Sequence, residues 1–392
     1  MLSEKSAITV RATLPAVGAN LGEITERFYA GLFAAHPELL RDLFNRGNQA
    51  AGTQRQALAG SIAAFATHLL EHPDRRPDAM LARIAHKHAS LGVTPEQYEV
   101  VHKHLFAAIA DVLGEAVTPE VAAAWDEVYW LMANALVALE KRLYEEAREP
   151  GWREWEVVER VQETSDVVTF RLRPLDGGPV ADFRAGQYVS VRVPLADGAR
   201  QIRQYSLSGA PGSTLRQISV KRVADGEVSD HLHTRVDEGG VVELSAPYGD
   251  LVLGSTGEAP LLLASAGIGV TPMVAMLAQL AEDGHEGSVT VVHGDRSPGE
   301  HALRAEQEAY AGKLADARVS FWYEEGADAD ARSGLVDLGD VDVTEGTRAY
   351  LCGPLPFMRV VREQLIGKGV APADIHYEVF GPDLWLAQTS RA

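Results

Sequence analysis

The sequence predicts a multidomain chain: an all-α first part, then an antiparallel β-barrel or sandwich, then a parallel α/β sheet domain. Three observations carry this. The 392 residues, at roughly 150 residues per domain, leave room for two or three domains. Up to about residue 147, apolar side chains recur at three- and four-residue spacing, the rhythm of amphipathic helices. Beyond that the texture changes twice, first to short near-alternating runs and then, from Ala259, to apolar strands followed by glycine turns and helical segments.

In the helical part, Gln54, Leu58, Ile62, Phe65 and Leu69 follow the rhythm, as do Trp125, Val128, Leu131 and Met132. Pro37, Pro73, Pro77, Pro95 and Pro119 separate the runs. Glu149-Pro150-Gly151 reads as a linker. Trp155–Val161, Val167–Leu172, Tyr188–Val193 and Ile218–Val223 then read as strands separated by glycine-rich turns. The strand Leu261-Leu262-Leu263 opens the last part and leads into a glycine turn and a helix over Met273–Leu280. Val289–Val292, Val319–Tyr323 and Tyr350–Cys352 repeat the strand theme. The expected domains are 1–147, a linker 148–152, 153–257 and 258–392.

Composition narrows the function. With 46% hydrophobic and 23% charged residues, the chain is neither disordered nor fibrous. Its net charge of −19 argues against binding nucleic acid, and neither the first 150 residues (−5) nor the remainder (−14) is basic. The one cysteine, Cys352, excludes an internal disulfide framework and a multi-cysteine zinc site, and fits a reducing compartment. The start, MLSEKSAITVRATLP, has no apolar core and does not read as a secretory signal. Residues 259–281 carry no charge, but Gly267, Gly269 and Pro272 break the run. A strand, a glycine turn and a helix start explain it better than a membrane span.

Several motifs carry chemistry. Arg203-Gln204-Tyr205-Ser206-Leu207 places a cation, a ring and a hydroxyl in a row just after a strand, a set suited to a pyrophosphate and a flat ring system. Gly186-Gln187-Tyr188 precedes it. Gly226-Glu227-Val228-Ser229 follows and offers N–H donors and a hydroxyl at a helix start. Gly267-Ile268-Gly269-Val270-Thr271-Pro272 joins a strand to a helix, where glycines allow close backbone approach and the helix start attracts phosphate. In this order, these elements make residues 152–392 resemble the ferredoxin-reductase type module, an FAD-binding barrel followed by a nicotinamide-binding domain. The resemblance implies FAD contacts from Tyr188, Arg203, Gln204, Tyr205, Ser206 and Ser229, and nicotinamide contacts from Gly267 through Pro272. Tyr350-Leu351-Cys352-Gly353-Pro354 is similar to the second strand-end motif, with Cys352 a packing or contact residue. His376 through Pro382 resembles a tail that covers the flavin, with Val379, Phe380, Gly381 and Pro382 beside the ring.

In the helical part, a haem would need an axial imidazole, an apolar slot and one or two hydrogen-bond donors. His88, Phe28, Tyr29, Phe44, Gln54 and Leu58 fit that list. The triplets His86-Lys87-His88 and His102-Lys103-His104 do not suit a chelated ion, because helical residues two apart point to nearly opposite sides. Spacing alone does not choose among the histidines. The strings ITERFYAGLFAAHPEL, LFNRGNQAAGTQRQAL, IAHKHASLGVTPEQY and LMANALVALEKRLY resemble the globin domain of flavohaemoglobins. That resemblance implies His88 as the ligand of the single iron of haem b and a distal pocket of Tyr29, Gln54 and Leu58. It also implies Phe44 wedged against the haem and Tyr98 with Glu140 as the proximal pair. Lys87 and Glu378 fall where the family adjusts haem and flavin potentials.

The order globin, flavin barrel, nicotinamide domain covers essentially the whole chain and is similar to the flavohaemoglobin family throughout. The resemblance implies that NAD(P)H reduces FAD, that FAD reduces haem one electron at a time, and that the haem with O2 converts nitric oxide to nitrate. Its implied small-molecule partners are O2, nitric oxide and NAD(P)H, and the chain is expected to be a cytoplasmic monomer. The alternative is a flavin reductase whose globin part senses or stores O2. The sequence departs from the family at Val270, where a polar residue is frequent, and at Val379, where cysteine is frequent. The stretch Asp383–Ala392 with Trp385 is an addition, and His86 adds a proton acceptor beside Lys87. Asp295 and Arg296 follow a strand and pull the coenzyme preference in opposite directions.

Overall fold

The computed structural model describes residues 1–147 and 151–381. Residues 148–150 of the expected linker, Pro382 and the C-terminal addition with Trp385 lie outside the described residues. The chain packs as two compact units, Met1–Gly151 with Pro194–Ile202, and Trp152–Val193 with Arg203–Phe380.

Among the described residues, the first unit is built on the α-helices α1 (Glu4–Ala35), α2 (Pro37–Asp42), α3 (Arg46–Ala50), α4 (Thr53–Glu71), α5 (Asp78–Leu91), α6 (Pro95–Leu113) and α7 (Pro119–Glu146). The prolines act as the sequence predicts: Pro37, Pro95 and Pro119 each open a helix, where a missing N–H costs nothing. Thr94 and Gln97 close a reciprocal capping box on α6, and Gly92, with φ of 78°, ends α5 in the left-handed region. Pro15 breaks the pattern by lying inside α1 without ending it. The lost amide bond is outweighed by burial of Val10, Val17, Leu21, Ile24 and Phe28 along one stripe of that helix. These side chains share the unit's core with Phe65, Leu81, Leu105, Trp125 and Leu136.

The second unit contributes most of a six-stranded antiparallel sheet: β1 (Trp152–Gln162), β2 (Val167–Pro174), β3 (Tyr188–Pro194), β4 (Arg200–Ser206), β5 (Arg216–Lys221), then α8 (Glu227–Arg235) and β6 (Val241–Ser245). Its strand order is β4-β3-β6-β1-β2-β5. The RQYSL motif differs from expectation in that Arg203–Ser206 form the end of a strand, β4, rather than follow one, with Leu207 just beyond it. The α/β part follows as β7 (Leu261–Ala266), α9 (Val270–Glu282), β8 (Val289–Asp295), α10 (Arg304–Ala311), β9 (Ala317–Tyr323), β10 (Arg332–Ser333), β11 (Arg348–Cys352), α11 (Leu355–Gly367) and β12 (Ile375–Glu378). The order β10-β9-β8-β7-β11-β12, all parallel, reverses direction between β7 and β11. Ligands of open parallel sheets bind in the crevice at the carboxyl ends of the strands at such a switch point. The uncharged run 259–281 is β7, a 3₁₀ turn and α9, and no described helix is long and apolar enough to cross a membrane.

Candidate functional site

In the helical unit, α5, α6 and α7 bring together three residues far apart in sequence. Glu140 stands on the buried stripe Ala133, Leu136, Glu140 of α7 and is 2% exposed. The Tyr98 hydroxyl donates to Glu140 Oε1, and His88 Nδ1 lies 2.8 Å from the same oxygen and 2.9 Å from the Tyr98 hydroxyl. The proton positions follow from chemistry. The phenol has one proton and gives it to the carboxylate, which only accepts, so Nδ1 must carry the imidazole hydrogen. The lone pair then rests on Nε2, which has no hydrogen-bond partner among the described residues. That donor set fits a metal-binding imidazole backed by a carboxylate. Burial, with Glu140 beside it, pushes the Tyr98 phenol well above its ordinary range.

Tyr29 lies on α1 in a cluster of rings, 4.7 Å from Phe28, 5.5 Å from Phe33 and 5.9 Å from Phe44. Burial pushes its phenol up to about 12, against the lowering pull of Gln54 and Gln49. The hydroxyl therefore stays a neutral donor at any physiological pH. Gln54 and Leu58 stand one turn apart on α4, and Leu58 and Phe44 both pack on the unit's core. Lys87 is half-buried on α5. Neither histidine triplet gathers a metal cluster, since no group of three His, Cys, Asp or Glu suited to an ion occurs among the described residues.

In the antiparallel sheet, Arg203, Gln204, Tyr205 and Ser206 occupy consecutive positions of β4. Gln204 donates to Ser190 Oγ at 2.9 Å. The Ser206 hydroxyl is buried and has no hydrogen-bond partner among the described residues. Buried polar atoms are rarely left unpaired, and an orphaned hydroxyl beside a cation and a ring fits a phosphate-bearing aromatic group. Burial raises the Tyr205 phenol while Arg203 draws it down. Tyr188 pairs with Tyr248 through both backbone groups, at 2.7 and 2.9 Å, and its ring closes over Gly249. Ser229 spends its hydroxyl locally, accepting from Val223 N at 3.1 Å and donating to Gly226 O at 3.2 Å. It closes the turn that opens α8.

At the switch point of the parallel sheet, Gly267 takes φ of +52°, and a Cβ at Gly269 would sit 2.2 Å from the Cys352 carbonyl oxygen. Only glycine permits that approach of the β7 turn to the end of β11. Val270, Thr271 and Pro272 form the first turn of α9, where proline costs no hydrogen bond, and Thr271 Oγ1 returns to Ile268 O at 3.0 Å. Glu378, at the end of β12, is buried and accepts from Val379 N at 2.9 Å. Phe380 is 48% exposed. Arg296 pairs with Glu300 at 2.9 Å, while Asp295 lies 3.5 Å from His293 Nε2.

Two features escaped the sequence reading. His293 and His301 stack with ring centroids 3.9 Å apart, His301 being bound by Tyr323 and Gln307 at 2.8 and 2.7 Å. Burial pushes both imidazoles down, so the pair is neutral. The apolar run Val289–Val292 that ends in His293 was the available signal. The second feature is Gln201, fully buried and bound to the corner between α2 and α3.

Comparison with known proteins agrees with this layout. A family model described as Globin matches residues 26–136, Oxidoreductase FAD-binding domain matches 154–253, and Oxidoreductase NAD-binding domain matches 263–363. The flavohemoprotein of Rhizobium meliloti (strain 1021) is 41% identical over 98% of this chain and 100% of its own. That of Bacillus subtilis (strain 168) is 38% identical over 99% and 100%. Among solved structures, the flavohemoglobin from Malassezia yamatoensis with bound FAD and heme superposes with a TM-score of 0.92 at 40% identity, covering 97% of this chain and 100% of that one. The FAD/NAD-binding domain of the nitric oxide dioxygenase from Vibrio cholerae O1 biovar El Tor gives a TM-score of 0.56 at 38% identity, covering 59% of this chain and 100% of its own.

Proposed function

The chain belongs to the flavohaemoglobin family, an NAD(P)H-dependent oxidoreductase with haem, FAD and nicotinamide domains, and from that premise we propose that it is a nitric oxide dioxygenase. The bound cofactors supply the redox chemistry, carrying electrons from NAD(P)H to O2 and nitric oxide, with nitrate as the product.

The observation that carries this reading is the hydrogen-bonded set His88, Tyr98 and Glu140, in which the phenol and the carboxylate are buried behind the imidazole. A carboxylate accepting from Nδ1–H fixes the tautomer and makes Nε2 a stronger donor to iron, which favours O2 activation over storage. Tyr29 would offer its neutral O–H to an oxygen that gains negative charge at the iron. Gln54 orients that hydroxyl, and Leu58 and Phe44 keep the pocket apolar. Lys87 adjusts the haem potential and Glu378 the flavin potential.

On the reductase side, Arg203 pairs with the FAD pyrophosphate, Tyr205 packs on the ring system and Ser206 gives its free hydroxyl to the cofactor. Gln204, Tyr188 and the α8 start with Ser229 complete the cradle. Gly267 through Pro272 receive the nicotinamide pyrophosphate at the α9 N-terminus. The exposed Phe380, flanked by Val379 and Gly381, covers the flavin and yields to nicotinamide; the assignment to Pro382 lies outside the described residues.

An anaerobic NADH titration followed by absorbance tests the wiring. The flavin bands should bleach first and the Soret band should then move to its ferrous position. Because a hydride carries two electrons and each nitrate needs one, aerobic turnover should consume two nitric oxide molecules per NAD(P)H. Flavin bleaching over an unmoved ferric Soret band would refute the electron path, and nitric oxide consumption no faster than with haem alone would refute the activity.

A further inference from the structure

The first unit does not end with its helices, since Pro194–Ile202 packs into it. The contact is specific. Gln201, fully buried, directs Nε2 at three carbonyls, those of Leu40 (3.2 Å), Arg41 (2.9 Å) and Phe44 (3.2 Å). Its Oε1 accepts from Arg46 N at 3.3 Å. These are groups a helix cannot satisfy for itself. Leu40 and Arg41 lie in the last turn of α2, and Arg46 is the first residue of α3. One primary amide thus joins the carbonyl end of one short helix to the amide start of the next, across the segment that carries Phe44.

Neighbouring bonds brace the same corner. Asp197 pairs with Arg46 at 2.6 Å and accepts from Ala199 N at 3.1 Å. Arg200 N donates to Asp42 Oδ1 at 3.0 Å. The six residues of α2 and five of α3 are too few to be stable alone, so their conformation depends on what holds their ends. Phe44 in turn packs on Phe33 at 5.3 Å and Tyr29 at 5.9 Å.

We propose that Gln201 is a positioning residue for the haem pocket, holding the α2–α3 corner, and Phe44 with it, through its amide donor. It lies beyond the residues matched by the globin model, so the globin pocket borrows a fixed point from a later part of the chain. The part concerning haem rests on the reading of Phe44 as a haem contact; the part concerning the corner does not.

The discriminating variant is Gln201→Glu, which keeps the shape and removes the donor, leaving an oxygen against three carbonyls. Gln201→Ala removes shape and donor together. In the full-length holoprotein, hydrogen exchange of the amides of residues 40–46 should accelerate at least tenfold in both variants, with Gln201→Glu no better than Gln201→Ala. The carbon monoxide stretching band of the reduced protein should shift or broaden, while NADH-driven ferricyanide reduction stays within twofold of the parent. Parent-like exchange in Gln201→Glu would overturn the proposal, because packing alone would then hold the corner. Faster exchange with an unmoved carbon monoxide band would overturn the haem role of Phe44, and the positioning claim with it. Should Gln201→Glu fail to fold, Asp197→Asn is read by the same two signals, with the smaller effect expected of an exposed ion pair.

Discussion

Replacing Glu140 by glutamine removes a charge and almost nothing else. Both donors meet the same oxygen of Glu140, and an amide oxygen can still accept from Tyr98 and His88. The geometry survives while two charge-assisted bonds become neutral ones, about half as strong. At roughly 1.5–3 kcal/mol for bonds to a charged group against about 1 for neutral pairs, the loss is about 2 kcal/mol over both. Relief from burying a charge opposes it, so stability is a poor readout. The haem potential is a better one. A buried anion behind the ligand imidazole favours the ferric state. Loss of an outer partner typically costs about 10–100-fold in metal affinity. Falling on the ferric state alone, at about 59 mV per tenfold for one electron, this predicts a rise of about 60–120 mV in midpoint. Spectroelectrochemical titration of Glu140→Gln and the parent measures it. A midpoint that is unchanged or lower would refute the argument that Glu140 acts electronically through His88.

Other outcomes follow from the same geometry. His88→Ala should purify without haem yet keep NADH-driven dye reduction; normal haem content would refute the ligand assignment. Tyr205→Ala should lose flavin first, and Ser206→Ala should weaken flavin binding by about tenfold, the worth of one hydrogen bond, as read by fluorescence on dilution. Gly269→Ala places a methyl 2.2 Å from the Cys352 carbonyl oxygen, so a strain of about 1–3 kcal/mol is expected, with lower melting temperature and weaker NAD+ binding; an unchanged variant would contradict the close approach. The Tyr29 phenol is raised from 10.0 to about 12, so the native state holds this proton more tightly than the unfolded chain. The stability it contributes is fully present below pH 10 and is lost as pH rises toward 12. Tyr29→Phe should remove that part of the alkaline fall in denaturant midpoint, and an identical alkaline profile would count against the buried phenol.

Much of the fold was legible because period and punctuation are local. The strand–glycine–helix reading of residues 259–281 needed only the residues themselves, and the prolines that open α2, α6 and α7 sit where the apolar runs restart. Pro15 was not legible as an interior helix residue, because what overrides it is burial on partners distant in sequence. Glu140 is instructive: its position on the Ala133, Leu136, Glu140 stripe marks it as core, while its residue type suggests a solvated face. Only the resemblance had marked it for a proximal role. Gln201 lay beyond reach, since no spacing rule ties a strand residue to carbonyls some 160 positions earlier.

Cys352 gives the molecule an internal clock for its own opening. It is the one thiol in the chain, is wholly enclosed at the end of β11, and is pushed well above its ordinary pKa by burial and then by Glu378. Reagents that need an accessible thiolate find none on the native surface. Any maleimide adduct therefore counts a moment when the centre of the parallel sheet came apart. The labelling rate of unmodified protein, with and without NAD+, would report how firmly nicotinamide clasps the β7–β11 crevice, with no introduced probe.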